Sequence, residues 1–226
     1  MDDFSSLMSI ISEAPLSNSM PDRRVWVGDK LGVFSCKSFF ELLVGSQDET
    51  PFMPHKAIWK VGIPPKVRLF SWLAAWNRVN TCDLYQRRRP FLSISPSWCI
   101  LCKLDFESNN HLLLHCKFAR SIWVRVFKEF GVIGALPLSW YEFLCIDWCL
   151  RGKRKKAKFL WRCCCLAAVW FIWLERNARV FEDRILEATE VWCKIKFTSS
   201  LWAFSSGLFG ALAISDIYSN WEAAMV

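Results

Sequence analysis

Four side chains near the middle of the chain have the types and the spacing to bind one metal ion. Cys99 and Cys102 form a Cys-x-x-Cys turn, and His111 and Cys116 follow a short distance later. Such a turn presents two thiolates to one ion, and zinc prefers four ligands with thiolates among them. Because the second pair completes the set at short range, the spacing predicts a structural zinc site.

The fourth ligand has an alternative. His111 and His115 are four residues apart, as on one face of a helix, so His115 could replace Cys116 in a Cys2His2 set. The eight residues between Cys102 and His111 are few for such a finger, and Cys116 is therefore preferred. A different interpretation places these thiols simply in the core, as expected for the consecutive cysteines at residues 163–165.

Catalytic motifs are absent from the sequence. The chain has no Gly-rich phosphate loop, no Gly-x-Ser-x-Gly, no His-Glu-x-x-His and no Tyr-x-Asp-Asp, and it has three histidines. A zinc ion with four protein ligands also lacks an open position for an activated water. The sequence therefore predicts a binding domain rather than an enzyme, without a small-molecule substrate.

Positive charge is concentrated around the predicted zinc site. The net charge is +8, and residues 56–128 contain 13 Lys and Arg against 3 acidic residues. A second basic cluster covers residues 151–162. Basic clusters bind polyanions by releasing counterions, which predicts a nucleic-acid partner, although they also occur as ordinary solvated surfaces. The candidate phosphate contacts are Lys66, Arg68, Arg78, Arg87, Arg88 and Arg89.

The N-terminal part predicts a small β-hairpin. Residues 25–27 and 33–34 are short apolar runs on either side of a turn bounded by Gly28 and Gly32. Ser35 is placed to cap a helix that continues to Val44. Residues 1–23 contain several Ser, Asn and Pro residues and predict a loosely ordered lead-in.

The rest of the chain predicts helices. Pro64 and Pro65 suit a helix entrance, and the helix that follows has an apolar face of Leu69, Leu73 and Trp76. Further helices are predicted over residues 81–89, 118–130, 155–181 and 186–204, with a short last one before residue 221. The predicted fold class is mainly α with a small N-terminal β-hairpin, a helical domain that contains a zinc knuckle.

Cysteine usage and the N-terminus predict an intracellular protein. The 11 cysteines are an odd number, and no basic leader followed by an apolar stretch opens the sequence. The basic run at residues 153–156 indicates the nucleus, with the cytoplasm as the alternative. Residues 163–174 and 197–215 are uncharged, but the first segment is short and the second is rich in serine, so no membrane span is expected.

An ordered series of motifs runs through the first half of the chain. The motifs are Arg24-Val25-Trp26, Gly32-Val33-Phe34-Ser35-Cys36-Lys37-Ser38, Ile58-Trp59-Lys60, Pro64-Pro65-Lys66-Val67, Phe70-Ser71-Trp72-Leu73, Asn77-Arg78-Val79, Thr81, Leu84, Cys99-Ile100-Leu101-Cys102, Glu107-Ser108, His111-Leu112-Leu113, Cys116 and Trp123. The series resembles the zinc-binding domain that follows reverse transcriptase in plant LINE-type, non-LTR retrotransposon proteins. Residues 172–177 and Phe181 resemble the segment after that domain.

The resemblance implies zinc on Cys99, Cys102, His111 and Cys116. The chain is predicted to consist of a lead-in at residues 1–23, a zinc-binding domain at 24–130 and a helical C-terminal region at 131–226. The resemblance also implies a non-catalytic domain that binds nucleic acid, with RNA favoured over duplex DNA. The alternatives are a structural or protein-interaction domain whose zinc only holds the fold, and a retroelement fragment without a retained function.

Overall fold

The computed structural model describes residues 8–9, 12, 25–36, 38–39, 55–59, 62–91, 98–146, 154–210 and 212–225. The chain divides into two compact units, Met1–Pro51 and Phe52–Val226. The described residues are mainly helical, which confirms the predicted helical class. The predicted domain boundaries after residues 23 and 130 stay predictions.

The predicted β-hairpin is wrong for the described residues of the smaller unit. Residues 25–34 contain turns and no strand, although the Trp26 N–H donates to the Gly32 carbonyl at 2.9 Å. Side chains hold this segment instead: Trp26 Nε1 donates to Ser38 Oγ at 2.9 Å, and the Trp26 ring lies 5.1 Å from the Phe34 ring. Because an isolated two-stranded hairpin is marginally stable, aromatic packing rather than strand pairing determines this turn.

The predicted cap at Ser35 is confirmed. Its Oγ accepts a hydrogen bond from the Ser38 N–H at 3.0 Å, and Cys36, Ser38 and Phe39 are helical. The rest of that predicted helix, residues 40–44, lies outside the described residues. Most of the predicted lead-in at residues 1–23 also lies outside them.

Helices form the larger unit, and most begin and end where the sequence predicts. The described elements are α1 His55–Trp59, α2 Pro65–Ala75, α3 Cys82–Arg88, a π-helix His111–His115, α4 Lys117–Phe130, α5 Trp140–Cys145, α6 Lys155–Phe181, α7 Ala188–Ser205, α8 Ile214–Ser219 and α9 Trp221–Ala224. Gly131 ends α4 with φ 61°, as predicted. Asp183, with φ 50°, lies in the break between α6 and α7.

The long helix α6 is the centre of the larger unit. It packs against α7, α2 and α4, and Cys163, Cys164 and Leu166 in its middle are buried. One continuous hydrophobic core includes residues from Ile63 to Ala224. Among the described helices, α6 is long and apolar enough to cross a membrane by length and composition, and 61% of its most apolar window is buried inside the structure.

Tryptophans connect the helices around this core and satisfy their own N–H groups. Trp123 Nε1 donates to the Leu113 carbonyl at 2.8 Å, and Trp140 Nε1 donates to the Ser71 carbonyl at 3.2 Å. In this way a buried indole ring keeps its large apolar contact area while its N–H group has a hydrogen-bond acceptor. Both tryptophans therefore belong to the buried core.

The apolar face predicted for α2 is not the face that the helix buries. Leu69, Leu73 and Trp76 are between 38% and 51% exposed. Phe70 is buried instead, and its ring lies 5.6 Å from the Trp173 ring of α6. Because this aromatic contact comes from a distant part of the chain, α2 turns its other face toward the core.

We expect Trp221→Ala in α9 to destabilise the protein by about 3–5 kcal/mol, because a buried indole leaves a cavity when it is removed. Trp221 is buried, its Nε1 donates to Ser200 Oγ at 2.9 Å, and its ring lies 5.5 Å from Phe130 of α4. Urea unfolding followed by circular dichroism measures the loss.

The matched control is Phe181→Ala, because the Phe181 side chain is 75% exposed. Its free energy of unfolding should change by less than about 0.5 kcal/mol. Equal changes for the two variants would contradict the placement of α9 in the common core.

Candidate metal centre

A short turn brings Cys99 and Cys102 together. Trp98 and Phe106 form an antiparallel bridge, and the Cys99 N–H donates to the Asp105 carbonyl at 2.7 Å. The Lys103 N–H donates to the Cys99 carbonyl at 2.8 Å, and Lys103 takes a left-handed conformation with φ 54°. We call residues 98–106 the knuckle loop. Its tight closure places both cysteines at one end of the turn.

A π-helical turn supplies the other two donors. The π-helix His111–His115 ends where the Cys116 N–H donates to the His111 carbonyl at 2.6 Å. Cys116 leaves the helical conformation with ψ 137°, and α4 begins at the next residue. Leu112, Leu113 and Leu114, between the two donors, are buried. Because a π-turn is one residue wider than an α-turn, positions 111 and 116 lie on the same side of the helix.

The four donor atoms meet in one place. The Sγ atoms of Cys99, Cys102 and Cys116 and a ring nitrogen of His111 all lie within 4.8 Å of one another. Cys99 Sγ lies 3.7 Å from Cys116 Sγ, and Cys102 Sγ lies 3.4 Å from His111 Nε2. The three thiols form no disulfide and can therefore act as ligands, and His111 directs its Nε2 toward Cys102.

These separations fit a zinc ion. Zn–S bonds of about 2.3 Å and a Zn–N bond of about 2.0 Å at tetrahedral angles put two sulfurs about 3.8 Å apart and a sulfur and a nitrogen about 3.5 Å apart. The observed 3.7 Å and 3.4 Å agree with both values. Three thiols and one imidazole are also a donor set that zinc accepts.

His115 has a different partner. Its Nε2 lies 3.1 Å from the Leu138 carbonyl oxygen, in the segment that leads to α5. The cluster that could hold a metal contains Cys116 and does not contain His115. The geometry therefore favours Cys116 as the fourth donor.

Burial and neighbouring groups set the protonation of the donors. A hydrogen bond to Cys116, followed by burial, raises the pKa of the Cys99 thiol well above its ordinary value, and the same contact lowers the pKa of Cys116. Burial lowers the pKa of His111, which keeps its imidazole neutral. Metal binding at these thiols must release protons, while His111 is already in its ligating form.

Asp105 orients the histidine. Its Oδ2 lies 3.4 Å from His111 Nδ1, on the side of the ring opposite the Nε2 atom that faces Cys102. A proton held on Nδ1 by the carboxylate leaves the Nε2 lone pair for a metal. Asp105 therefore fixes the orientation of the neutral His111 ring.

A buried ion pair ties the residue that follows the knuckle loop, Glu107, to α6. Glu107 is 1% exposed, and Arg176 of α6 is 6% exposed. Arg176 Nη2 donates to Glu107 Oε1 at 2.7 Å, and Arg176 Nε donates to both carboxylate oxygens at 3.1 Å. The Cys82 N–H at the start of α3 donates to the same carboxylate at 3.0 Å. Glu107 thus joins the metal region to two helices.

A second arginine of α6 reaches the metal region directly. Arg179 Nη1 donates to the Leu101 carbonyl of the knuckle loop at 3.4 Å, and its guanidinium lies 4.9 Å from the Phe118 ring at the start of α4. Glu175 holds Arg179 by an ion pair of 2.7 Å. Both halves of the metal centre therefore rest on the same segment of α6.

These supporting residues were not among the predicted site residues. Neither the contact of Asp105 with His111 nor that of Glu107 with Arg176 follows from the sequence motifs. The available signal was the adjacent charged pair Glu175 and Arg176 within a strongly apolar segment, since charged residues in a buried helix need partners.

The predicted nucleic-acid contacts lie on and around α2 and α3. Lys66 and Arg78 are exposed, and so are the three arginines that end α3, Arg87, Arg88 and Arg89. Arg68 is half-buried and donates to the Trp59 carbonyl at 3.5 Å. The structure therefore leaves most of the predicted cations accessible.

We expect Arg176→Met to destabilise the protein by about 3–5 kcal/mol, because it leaves the Glu107 carboxylate buried without its counter-charge. Adding Glu107→Gln should recover about half of that loss, because no unpaired buried charge remains. Urea unfolding of the two single variants and the double variant measures the coupling.

The control for this cycle is Arg184→Met, which removes an exposed ion pair with Glu182. It should change the free energy of unfolding by less than about 0.5 kcal/mol. Additive losses for Glu107→Gln and Arg176→Met would show that the pair does not join the two elements.

Comparison with known proteins agrees with this centre. Residues 34–123 match the family described as zinc-binding in reverse transcriptase, a range that includes all four donors. An Arabidopsis thaliana protein whose name calls it a ribonuclease H protein is 30% identical over 185 residues. Those residues are 80% of this chain and 28% of that protein, so the chain spans under a third of this curated relative.

No solved structure matches the chain. The family match covers a zinc-binding domain rather than a catalytic one, and the residues it covers contain a cluster able to hold the metal. The resemblance inferred from the sequence motifs is therefore confirmed. Residues 34–123 thus match the zinc-binding domain of reverse transcriptases, and a plant protein is similar to most of the chain.

Proposed function

We propose that Cys99, Cys102, His111 and Cys116 hold one structural Zn²⁺. The observation that carries this proposal is the convergence of their four donor atoms within 4.8 Å. When bound, the ion supplies a cross-link between the knuckle loop and the π-helical turn. The role is non-catalytic, because four protein donors fill a tetrahedral site.

The domain built on this zinc binds nucleic acid through its basic surface. Support comes from the net charge of +8 and from the exposure of Lys66, Arg78 and the arginines that end α3. The name of the Arabidopsis relative also refers to a nucleic-acid-processing protein. RNA is favoured over duplex DNA because the resembled proteins copy their own RNA.

A protein-interaction role is the second candidate. The face of α2 that carries Leu69, Leu73 and Trp76 is partly exposed, which is unusual for three large apolar residues in one stripe. Several candidate cations also have protein partners: Arg87 pairs with Asp83 at 2.9 Å, and Arg88 donates to Asn80 at 2.8 Å. In this alternative the zinc only holds the fold.

We expect the purified protein to contain one zinc per chain and Cys102→Ser to lose it. Cys102 is the most informative thiol to change, because it is less buried than Cys99 and Cys116 and its loss disturbs packing least. Mass spectrometry of metals after dialysis against a weak chelator measures zinc and protein together.

Two control variants make this measurement decisive. Cys193→Ser removes an exposed thiol outside the cluster and should keep the zinc, and so should His115→Ala. Zinc retention by Cys102→Ser would contradict the assignment. Zinc loss by His115→Ala together with retention by Cys116→Ser would move the fourth ligand to His115.

We expect single-stranded RNA to bind the zinc-loaded protein with an affinity that falls as salt rises, by a slope of about −0.7 per phosphate contact in a plot of log K against log salt. Changing Arg87, Arg88 and Arg89 together to Gln should reduce that slope by about 2. Fluorescence anisotropy of a labelled oligonucleotide measures the affinity and its dependence on salt. Because the proposed role is non-catalytic, the RNA strand of an RNA–DNA hybrid should stay uncut when it is incubated with the protein.

The matched control is Arg184→Gln, which removes one exposed arginine outside the predicted set. Its slope should equal that of the parent protein. Absence of binding at low salt, or an affinity independent of salt, would reject the nucleic-acid role and favour the protein-interaction role.

A further inference from the structure

The knuckle loop holds large apolar side chains out in solvent. Leu104 is 76% exposed, Phe106 is 72% exposed and Trp98 is 53% exposed, whereas Leu101 of the same loop is buried. None of these three exposed side chains is a metal donor. Several large apolar groups exposed together on one small loop are typical of a binding surface.

Two open cavities flank this loop. One has a volume of about 400 Å³ and is lined by Phe106, Glu107, Gln86 and Arg87 together with the start of α3. The other has a volume of about 450 Å³ and is lined by Leu104, Asp105, His115, Lys117 and Arg120 together with the metal donors Cys102 and His111. Leu104 and Phe106, two residues apart on the knuckle loop, therefore line different cavities.

Each cavity has a basic rim. Arg87 lines the first, and Arg88 and Arg89 follow it in sequence. Lys117 and Arg120, one turn apart at the start of α4, line the second and are exposed. Two acids line the first cavity, and both are paired with arginines: Asp83 with Arg87, and Glu107 with Arg176. In the second cavity Lys117 and Arg120 exceed the single acid Asp105, which faces His111.

We propose that a single-stranded nucleic acid crosses the knuckle loop, with one base stacked on Phe106 and phosphates contacted by Arg87 on one side and by Lys117 and Arg120 on the other. This inference rests on the nucleic-acid role proposed above and assigns it to named residues. An aromatic platform between basic groups suits unpaired bases, whose faces are available to stack, and duplex bases cannot reach it. Lys117 and Arg120 on one side, and the exposed arginines that end α3 on the other, supply the positive charge that a polyanion requires.

Stacking and phosphate contact predict different measurements. Stacking on an aromatic side chain is insensitive to salt, so Phe106→Ala should lower the affinity for a twelve-nucleotide single strand about tenfold and leave the salt slope unchanged. Changing Lys117 and Arg120 together to Gln should weaken binding and also reduce the slope by about 1.4. Phe106→Tyr keeps the ring and should bind like the parent protein.

The experiment uses the zinc-loaded full chain, labelled single-stranded RNA and DNA, and a duplex of the same length. Phe204→Ala is the matched control, because Phe204 is 44% exposed and lies on α7, which contributes no residue to either cavity. Its affinity should equal that of the parent protein. Zinc content and urea midpoint confirm that each variant is folded.

Failure of this inference is distinguishable from failure of the nucleic-acid role itself. If the parent protein binds single strands and Phe106→Ala binds within twofold of it, the assignment to the knuckle loop is wrong and the general role stands. Equal affinity for duplex and single strands would also overturn the stacking contact. If the parent protein binds neither RNA nor DNA, the proposed function fails, and the loop becomes a surface for a protein partner.

Discussion

The ion pair between Glu107 and Arg176 is buried, and the packing of the metal region against α3 and α6 depends on it. Burying one carboxylate costs several kcal/mol unless its oxygens are fully satisfied. Here Arg176 donates to both oxygens and Cys82 supplies a backbone N–H. These partners come from α6 and α3, so the carboxylate can be buried only when the knuckle loop, α3 and α6 are already in place.

The metal donors and the ion pair stabilise different contacts of the metal region. The knuckle loop is closed by the bridge between Trp98 and Phe106 and by a few backbone hydrogen bonds. Lys103 takes a left-handed conformation, which costs free energy in a residue with a side chain. Zinc can join this loop to the π-helical turn. The ion pair, with Arg179 on the Leu101 carbonyl, then fixes the joined lobe on α6. Metal loss should therefore loosen the lobe before it loosens the helical core.

Local signals account for what the sequence could predict. Proline at the start of α2, glycine after α4 and the spacing of the four donors each act within one turn of chain, so those elements were recognisable. The buried face of α2 was not, because Leu69 and Leu73 recur with the same helical period as Val67 and Phe70. The choice between the two faces depends on Trp173, which is distant in sequence. The contact of Glu107 with Arg176 could not be predicted either, because the two residues are distant in sequence. The N-terminal segment has the turn residues of a hairpin, but its flanking residues do not form strands.

The separation of buried donors from exposed loop residues determines where partner selectivity resides. Cys99 and Cys116 are completely buried, so a ligand cannot contact them without unfolding the lobe. Phe106 and Leu104 lie on the same loop but point to solvent, and their exchange changes the surface at little cost to stability. A protein with the same four donors and different residues at these positions would keep the fold and meet a different partner. In the proposed binding role, zinc contributes by holding the loop rigid. A rigid aromatic platform loses less conformational entropy on binding than a mobile one.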